Sequence, residues 1–161
     1  MKLNSLAKET LIACRRAGLM IATAESCTGG MISAALTSVS GSSDVFDRAF
    51  ITYSNQAKQD MLHVPEKKLE KHGAVSKQVA KAMAEGALSV CDSDLCVAVT
   101  GIAGPDGGTD EKPVGLVYIA CAKNGSTTIV EKHRFEGGRD DVRFQTAERA
   151  LKLIQIQALV P

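Results

Sequence analysis

The sequence predicts a three-layer α/β/α sandwich around a mixed, mostly parallel sheet of about five strands. Three observations carry that expectation. Helix-like and strand-like stretches alternate from the N-terminus to residue 100, the order of a sheet with helices packed on both faces. The run Leu95-Cys96-Val97-Ala98-Val99-Thr100 is almost wholly apolar, as a strand covered on both sides must be. After it come Val114 to Ala122 and Thr127 to Phe135, separated by Lys123-Asn124-Gly125; Asn-Gly supplies the positive φ values of a tight hairpin turn.

Taken in order, Leu3, Leu6, Leu11 and Ile12, with Ala7 and Ala13 beside them, make an apolar stripe at helical spacing. Gly18 stands where that helix should stop, so residues 3–17 form a first helix. Leu19 to Ala22 reads as a short buried strand, and Met31 to Leu36 as a second helix. Ser40 to Asp44 is turn chemistry, after which Val45 to Thr52 returns as a strand. The polar corner Tyr53 to Lys58 then enters a short helix before Pro65, and Pro65 to Gly73 holds a charged helical turn or two. Ser76 caps a helix over Lys77 to Val90, in which Val79, Met83, Ala87 and Val90 share one side. A last amphipathic helix spans Asp140 to about Ala158.

Composition narrows the function. The 161 residues suit a single domain over 1–161, and a chain of that size buries roughly 70% of its unfolded surface. A net charge of +1 gives no long-range field for nucleic acid, and 4% aromatic residues offer few stacking platforms. No apolar stretch approaches the roughly 20 residues that span a bilayer, so no membrane partner is expected. Cys14, Cys27, Cys91, Cys96 and Cys121 are odd in number and contain no C-x-x-C pair, which fits reduced thiols in a cytoplasmic protein. His63, His72 and His133 are scattered away from the glycine-rich loops, an arrangement that suggests neither a histidine base nor a metal site.

Three polar loops follow apolar strands, at residues 23–30, 52–58 and 100–109. Ligands of open α/β sheets bind outside the carboxyl ends of the strands, so the three are expected to share a site. The first, Thr23-Ala24-Glu25-Ser26-Cys27-Thr28-Gly29-Gly30, puts a hydroxyl, a thiol and two glycines where a strand turns into a helix. Free N–H groups at a helix start favour an anion, either a phosphate or an oxyanion beside a nucleophilic Ser26; plain capping by Thr23 or Ser26 is the structural alternative. The loop Gly101 to Thr109 lacks the Gly-Lys-Ser/Thr ending of a phosphate-binding P-loop and the G-x-G-x-x-G spacing of a dinucleotide fold.

A serine nucleophile without a histidine needs another base, and Lys58 at the second corner is the available one. Its pKa must fall from about 10.4 to roughly 7 to 8, which takes burial or a neighbouring cation. Arg139 in Glu136-Gly137-Gly138-Arg139 is a candidate for that cation, and its fork also suits a phosphate.

With these residues assembled, the chain resembles over nearly its whole length the C-terminal domain of the competence/damage-inducible protein A family, also known as the nicotinamide mononucleotide deamidase family. Carrying the match are Thr23 to Gly30, Thr52-Tyr53-Ser54-Asn55 with Lys58, Val99 to Pro105 with Gly107-Gly108-Thr109, and Lys112-Pro113-Val114-Gly115. The resemblance implies hydrolysis of the carboxamide of nicotinamide mononucleotide, giving nicotinic acid mononucleotide and ammonia, with no cofactor and no metal. By position Ser26 matches the nucleophile and Lys58 the base, while Tyr53, Thr100 and Arg139 match supporting positions.

Cys27, Thr28, Gly29, Gly30, Gly101 and Gly104 are expected to bind the small-molecule nucleotide, the Thr28 to Gly30 amides holding an oxyanion. The family often has Gly-Asp-Arg where this chain reads Gly137-Gly138-Arg139, which leaves Arg143 as the competing arginine. The family often carries an additional N-terminal domain, and this chain is expected to be a stand-alone version of the deamidase-like part; a homo-oligomer is the family-level expectation. Two other readings stay open: a catalytically silent nucleotide-sensing or partner-binding module, and a phosphoryl-transfer enzyme, the latter weakened by the absent P-loop lysine. Which loop would take the phosphate and which the amide stays open too.

Overall fold

The computed structural model describes residues 2–161. In chain order its elements are α1 (Lys2–Ala17), β1 (Ile21–Glu25), α2 (Met31–Thr37), a single 3-10 turn at Ser42–Asp44, β2 (Phe46–Ile51), α3 (Asn55–Leu62), α4 (Glu66–His72), α5 (Lys77–Ser89), β3 (Leu95–Gly101), β4 (Leu116–Lys123), β5 (Ile129–Arg134) and α6 (Arg139–Ala158). The sheet order is β2-β1-β3-β4-β5. β1 runs parallel to both β2 and β3, with Thr23 level with Ala49 and Val97, whereas β4 is antiparallel to β3 and to β5. Only β4 therefore points against the others.

The layers follow from a period of two along β3. Leu95, Val97 and Val99 face a core shared with α1, α2 and α6, where Leu11, Ile32, Leu151 and Ile154 are fully covered. Cys96 and Ala98 face the other core, built on α3, α4 and α5 around Leu62, Leu69 and Met83. That second face is paved with small residues, Ala22, Ala24, Ala98 and Ala120, and α5 answers with Ala80, Ala84 and Ala87. Small side chains on both partners let the helix approach closely. Ser54 and Ser76 cap α3 and α5 by accepting from the amides of Ala57 and Val79, at 3.0 and 3.2 Å.

β1 departs most from the expected boundaries, running on through Thr23, Ala24 and Glu25. Thr23 and Glu25 look like loop in sequence, yet all five strand residues are buried: the Gly30, Ile32 and Ser33 amides at the start of α2 donate to the Glu25 carboxylate, which in turn accepts from Thr23 Oγ1. At the hairpin, β4 begins at Leu116 and not Val114, since Gly115 lies at φ +93° beside the Phe135 carbonyl and ends the preceding loop.

Candidate active site

The chain leaves β1 for β2 on one side and later places β3 on the other, so the crevice between the ends of β1 and β3 is the switch point of the sheet. A cleft of about 260 Å³ lies there. Ser26 and Cys27 line it from the first corner, Tyr53, Asn55 and Lys58 from the second, Thr100 to Gly104 with Asp106 and Gly107 from the third, and Arg139 from the start of α6. Ala74 and Val75, between α4 and α5, complete the wall. A larger open groove of about 690 Å³ between α5 and β5, bordered by Lys68, Lys77, Lys81 and Lys132, shares none of these residues.

At the bottom of the cleft Lys58 Nζ lies 2.9 Å from Ser26 Oγ, 2.9 Å from the Thr52 carbonyl and 3.1 Å from the Tyr53 carbonyl. This lysine is only 1% exposed although it sits on a helix of largely solvated residues. Burial pushes its pKa down to about 8, opposed by the adjacent Cys27, whose own thiol burial pushes up to about 11. A neutral amine has two N–H groups and one lone pair. As an ammonium Lys58 donates to all three oxygens; once neutral, with its two N–H groups on the carbonyls, it has its lone pair left for the Ser26 hydroxyl.

Tyr53 and Arg139 close the mouth. Arg139 Nη1 donates to the Gly104 carbonyl at 2.8 Å and Nη2 to the Tyr53 hydroxyl at 3.2 Å, joining α6 to the second and third loops. Gly104 needs its missing side chain: at φ +84° an added Cβ would stand 2.4 Å from Val114. Thr100 Oγ1 donates to the Ala74 carbonyl at 3.0 Å and so ties β3 to the wall between α4 and α5; its hydrogen bond goes to neither Lys58 nor Ser26. Arg143 turns away from the cleft and donates to the carbonyls of Cys27 and Thr28, at 3.1 and 3.0 Å. Of the two competing arginines, Arg139 lines the cleft and Arg143 braces its first corner.

Three of the expected binding residues lie outside the cleft. Thr28, Gly29 and Gly30 face Glu25, Arg143 and Ile51. The Gly30 amide donates to Glu25 Oε1 at 3.2 Å, so it is not free for an oxyanion, and the α2 terminus already holds a carboxylate where a phosphate was conceivable. Glu25 is the residue that sequence reasoning passed over. A carboxylate directly before a helix start was the available signal, because anions are stabilised there. None of the three histidines lines the cleft; His133 pairs with Glu131, which Arg149 also binds, and the Glu131 pKa falls to about 2. Among the described residues no group of three His, Cys, Asp or Glu is placed to hold a metal, and no helix is long and apolar enough to cross a membrane.

Comparisons with known proteins agree on one family. The sequence model of the CinA C-terminal domain matches residues 3–158. A CinA-like protein of Syntrophobacter fumaroxidans is 58% identical over 87% of this chain, which spans only 33% of that relative; several other curated relatives are likewise matched over about a third of their length. A nicotinamide-nucleotide amidohydrolase PncC of Enterobacter agglomerans is 46% identical, over 94% of this chain and 92% of its own length. Among solved structures, the competence/damage inducible protein CihA of Agrobacterium tumefaciens superposes with a TM-score of 0.94 at 45% identity, covering 98% of this chain and 96% of that one. The chain belongs to the CinA C-terminal domain family.

Proposed function

We propose that this chain is a nicotinamide-nucleotide amidohydrolase, releasing ammonia from the carboxamide of nicotinamide mononucleotide by a serine nucleophile and a lysine base. The observation that carries the proposal is the 2.9 Å contact between Ser26 Oγ and a buried Lys58 whose pKa lies near 8. The nearly full-length likeness to an amidohydrolase of that name supports the substrate. A pure binding module has no need of a desolvated lysine at a serine.

Ser26 Oγ attacks the carboxamide carbon while Lys58 Nζ accepts its proton. With a pKa near 8, roughly a tenth of the lysine is neutral at pH 7, enough for a base close to the optimum strength. The tetrahedral oxyanion sits against the Cys27 backbone at the first corner of the cleft, whereas the Gly30 amide is already engaged by Glu25. Lys58 hands its proton to the departing nitrogen, and ammonia leaves. Water, activated by the same lysine, then opens the ester and restores Ser26. Arg139 and the Gly101 to Gly107 loop remain for the phosphate end of the nucleotide.

The experiment is to incubate the protein with nicotinamide mononucleotide in chelator and follow ammonia. Release is expected, with Ser26→Ala and Lys58→Met each lowering kcat by about 10³-fold or more. No release between pH 6 and 10 would reject the enzyme in favour of a nucleotide-binding module. Release that survives Ser26→Ala would reject the covalent route.

A further inference from the structure

The residue before the nucleophile takes no part in the steps above, yet it is a carboxylate with no solvent exposure. Glu25 Oε1 accepts from Thr28 Oγ1 at 2.7 Å, from the Ile32 amide at 3.0 Å and from the Gly30 amide at 3.2 Å. Oε2 accepts from the Ser33 amide at 3.0 Å and from Thr23 Oγ1 at 3.3 Å. Such a group is tolerated in the interior only because its lone pairs are this fully engaged. Its main chain reaches the other way: the Glu25 carbonyl accepts from the Thr52 amide at 2.9 Å, and the Thr52 carbonyl is one of the oxygens holding Lys58 Nζ. Across the same loop, Arg143 gathers the carbonyls of Cys27 and Thr28.

We propose that Glu25 is the positioning residue of this site, its carboxylate collecting the loop's N–H and hydroxyl groups so that Ser26 Oγ stays in line with Lys58 Nζ. The inference rests on the amidohydrolase reading for its kinetic readout but not for its geometry. Glu25→Gln keeps the size of the side chain and sets an amide NH2 where an oxygen stood. Donor then faces donor at the start of α2, and the loop carrying Ser26 must shift. A misplacement of about 1 Å at a reacting centre lowers turnover by roughly 10²-fold.

The test compares wild type with Glu25→Gln and Thr28→Val for ammonia release, for the rate at which a fluorophosphonate labels Ser26, and for the pH midpoint of kcat/KM. Glu25→Gln is expected to fold, to lose about 100-fold in kcat and in labelling rate, and to keep KM within about threefold. Its midpoint should stay near that of wild type, because Lys58 remains buried; a general opening of the cleft would instead move the midpoint up. A folded Glu25→Gln with kcat within about threefold of wild type overturns the proposal, as does a loss carried by KM or a raised midpoint.

Should Glu25→Gln fail to fold, Thr28→Val decides, since it removes the 2.7 Å bond and little else. A drop of about tenfold in kcat supports positioning, and unchanged kcat rejects it. A wild type that releases no ammonia sinks the enzymatic reading alone; Glu25 is then judged by labelling at Ser26, where a slower variant supports the proposal and an equal one overturns it.

Discussion

Lys58 is held in a conflict between stability and reactivity. Its pKa near 8 against an ordinary 10.5 corresponds to about 3 kcal/mol of penalty on the charged form in the folded state. Between those two values the unfolded chain binds the proton more readily than the native one, so this residue's contribution to stability rises with pH from about 8 to 10.5 and is lost below 8. Urea unfolding of wild type and Lys58→Met at pH 7 and pH 10 measures it. The variant should be the more stable of the two at pH 7, with the gap narrowing as pH rises, and it should be inactive. For the same reason kcat/KM of the wild type should climb with pH through an acid limb centred near 8. Sequence alone could nominate this lysine by position at a corner; its desolvation depends on Thr52, Tyr53 and the packing of α3, which residues distant in the chain decide.

Helix α5 shows how an element can be set by a contact its own sequence does not reveal. Gly86 lies mid-helix, where alanine ordinarily stabilises by about 1 kcal/mol. Here an added Cβ would stand 2.0 Å from the Leu62 carbonyl at the end of α3. Gly86→Ala is therefore expected to destabilise, by about 2 kcal/mol, as overpacking does. Chemical denaturation checks the sign, and a stabilised variant would show that α3 yields freely. α3 carries Lys58, so the displaced helix should also lower kcat. The amphipathic patterns of α1, α5 and α6 were legible at their expected places, because an apolar stripe at helical spacing is a local property. β1 was not fully legible: Thr23 and Glu25 are polar, and their burial is tolerable because Thr23 bonds to the Glu25 carboxylate, which the Thr28 hydroxyl and the amides at the start of α2 also satisfy.

Over the whole molecule, two separate cores on opposite faces of the sheet hold the three loops at one end. Leu151 of α6 is fully buried in the core shared with α1 and α2, and α6 also carries Arg139 to the cleft and Arg143 to the back of its first corner. Leu151→Ala should lower stability by about 3 kcal/mol, read by thermal unfolding, through lost transfer energy and the cavity left behind. The pH midpoint of kcat/KM should not move, because Lys58 takes its burial from the opposite face. A shifted midpoint would mean that the two cores are energetically joined at the site.

The sequence by itself determined the layered architecture, the three loops at the strand ends and the pairing of Ser26 with Lys58 as the residues to watch, since periodicity, glycine placement and chemical type are written residue by residue. Tertiary structure alone decided that Arg139 faces the cleft while Arg143 braces it, that Thr100 ties down a wall, and that Glu25 occupies the helix terminus expected to receive a ligand. Those outcomes depend on which buried polar groups meet, and a buried donor must find an acceptor wherever in the chain one is brought near.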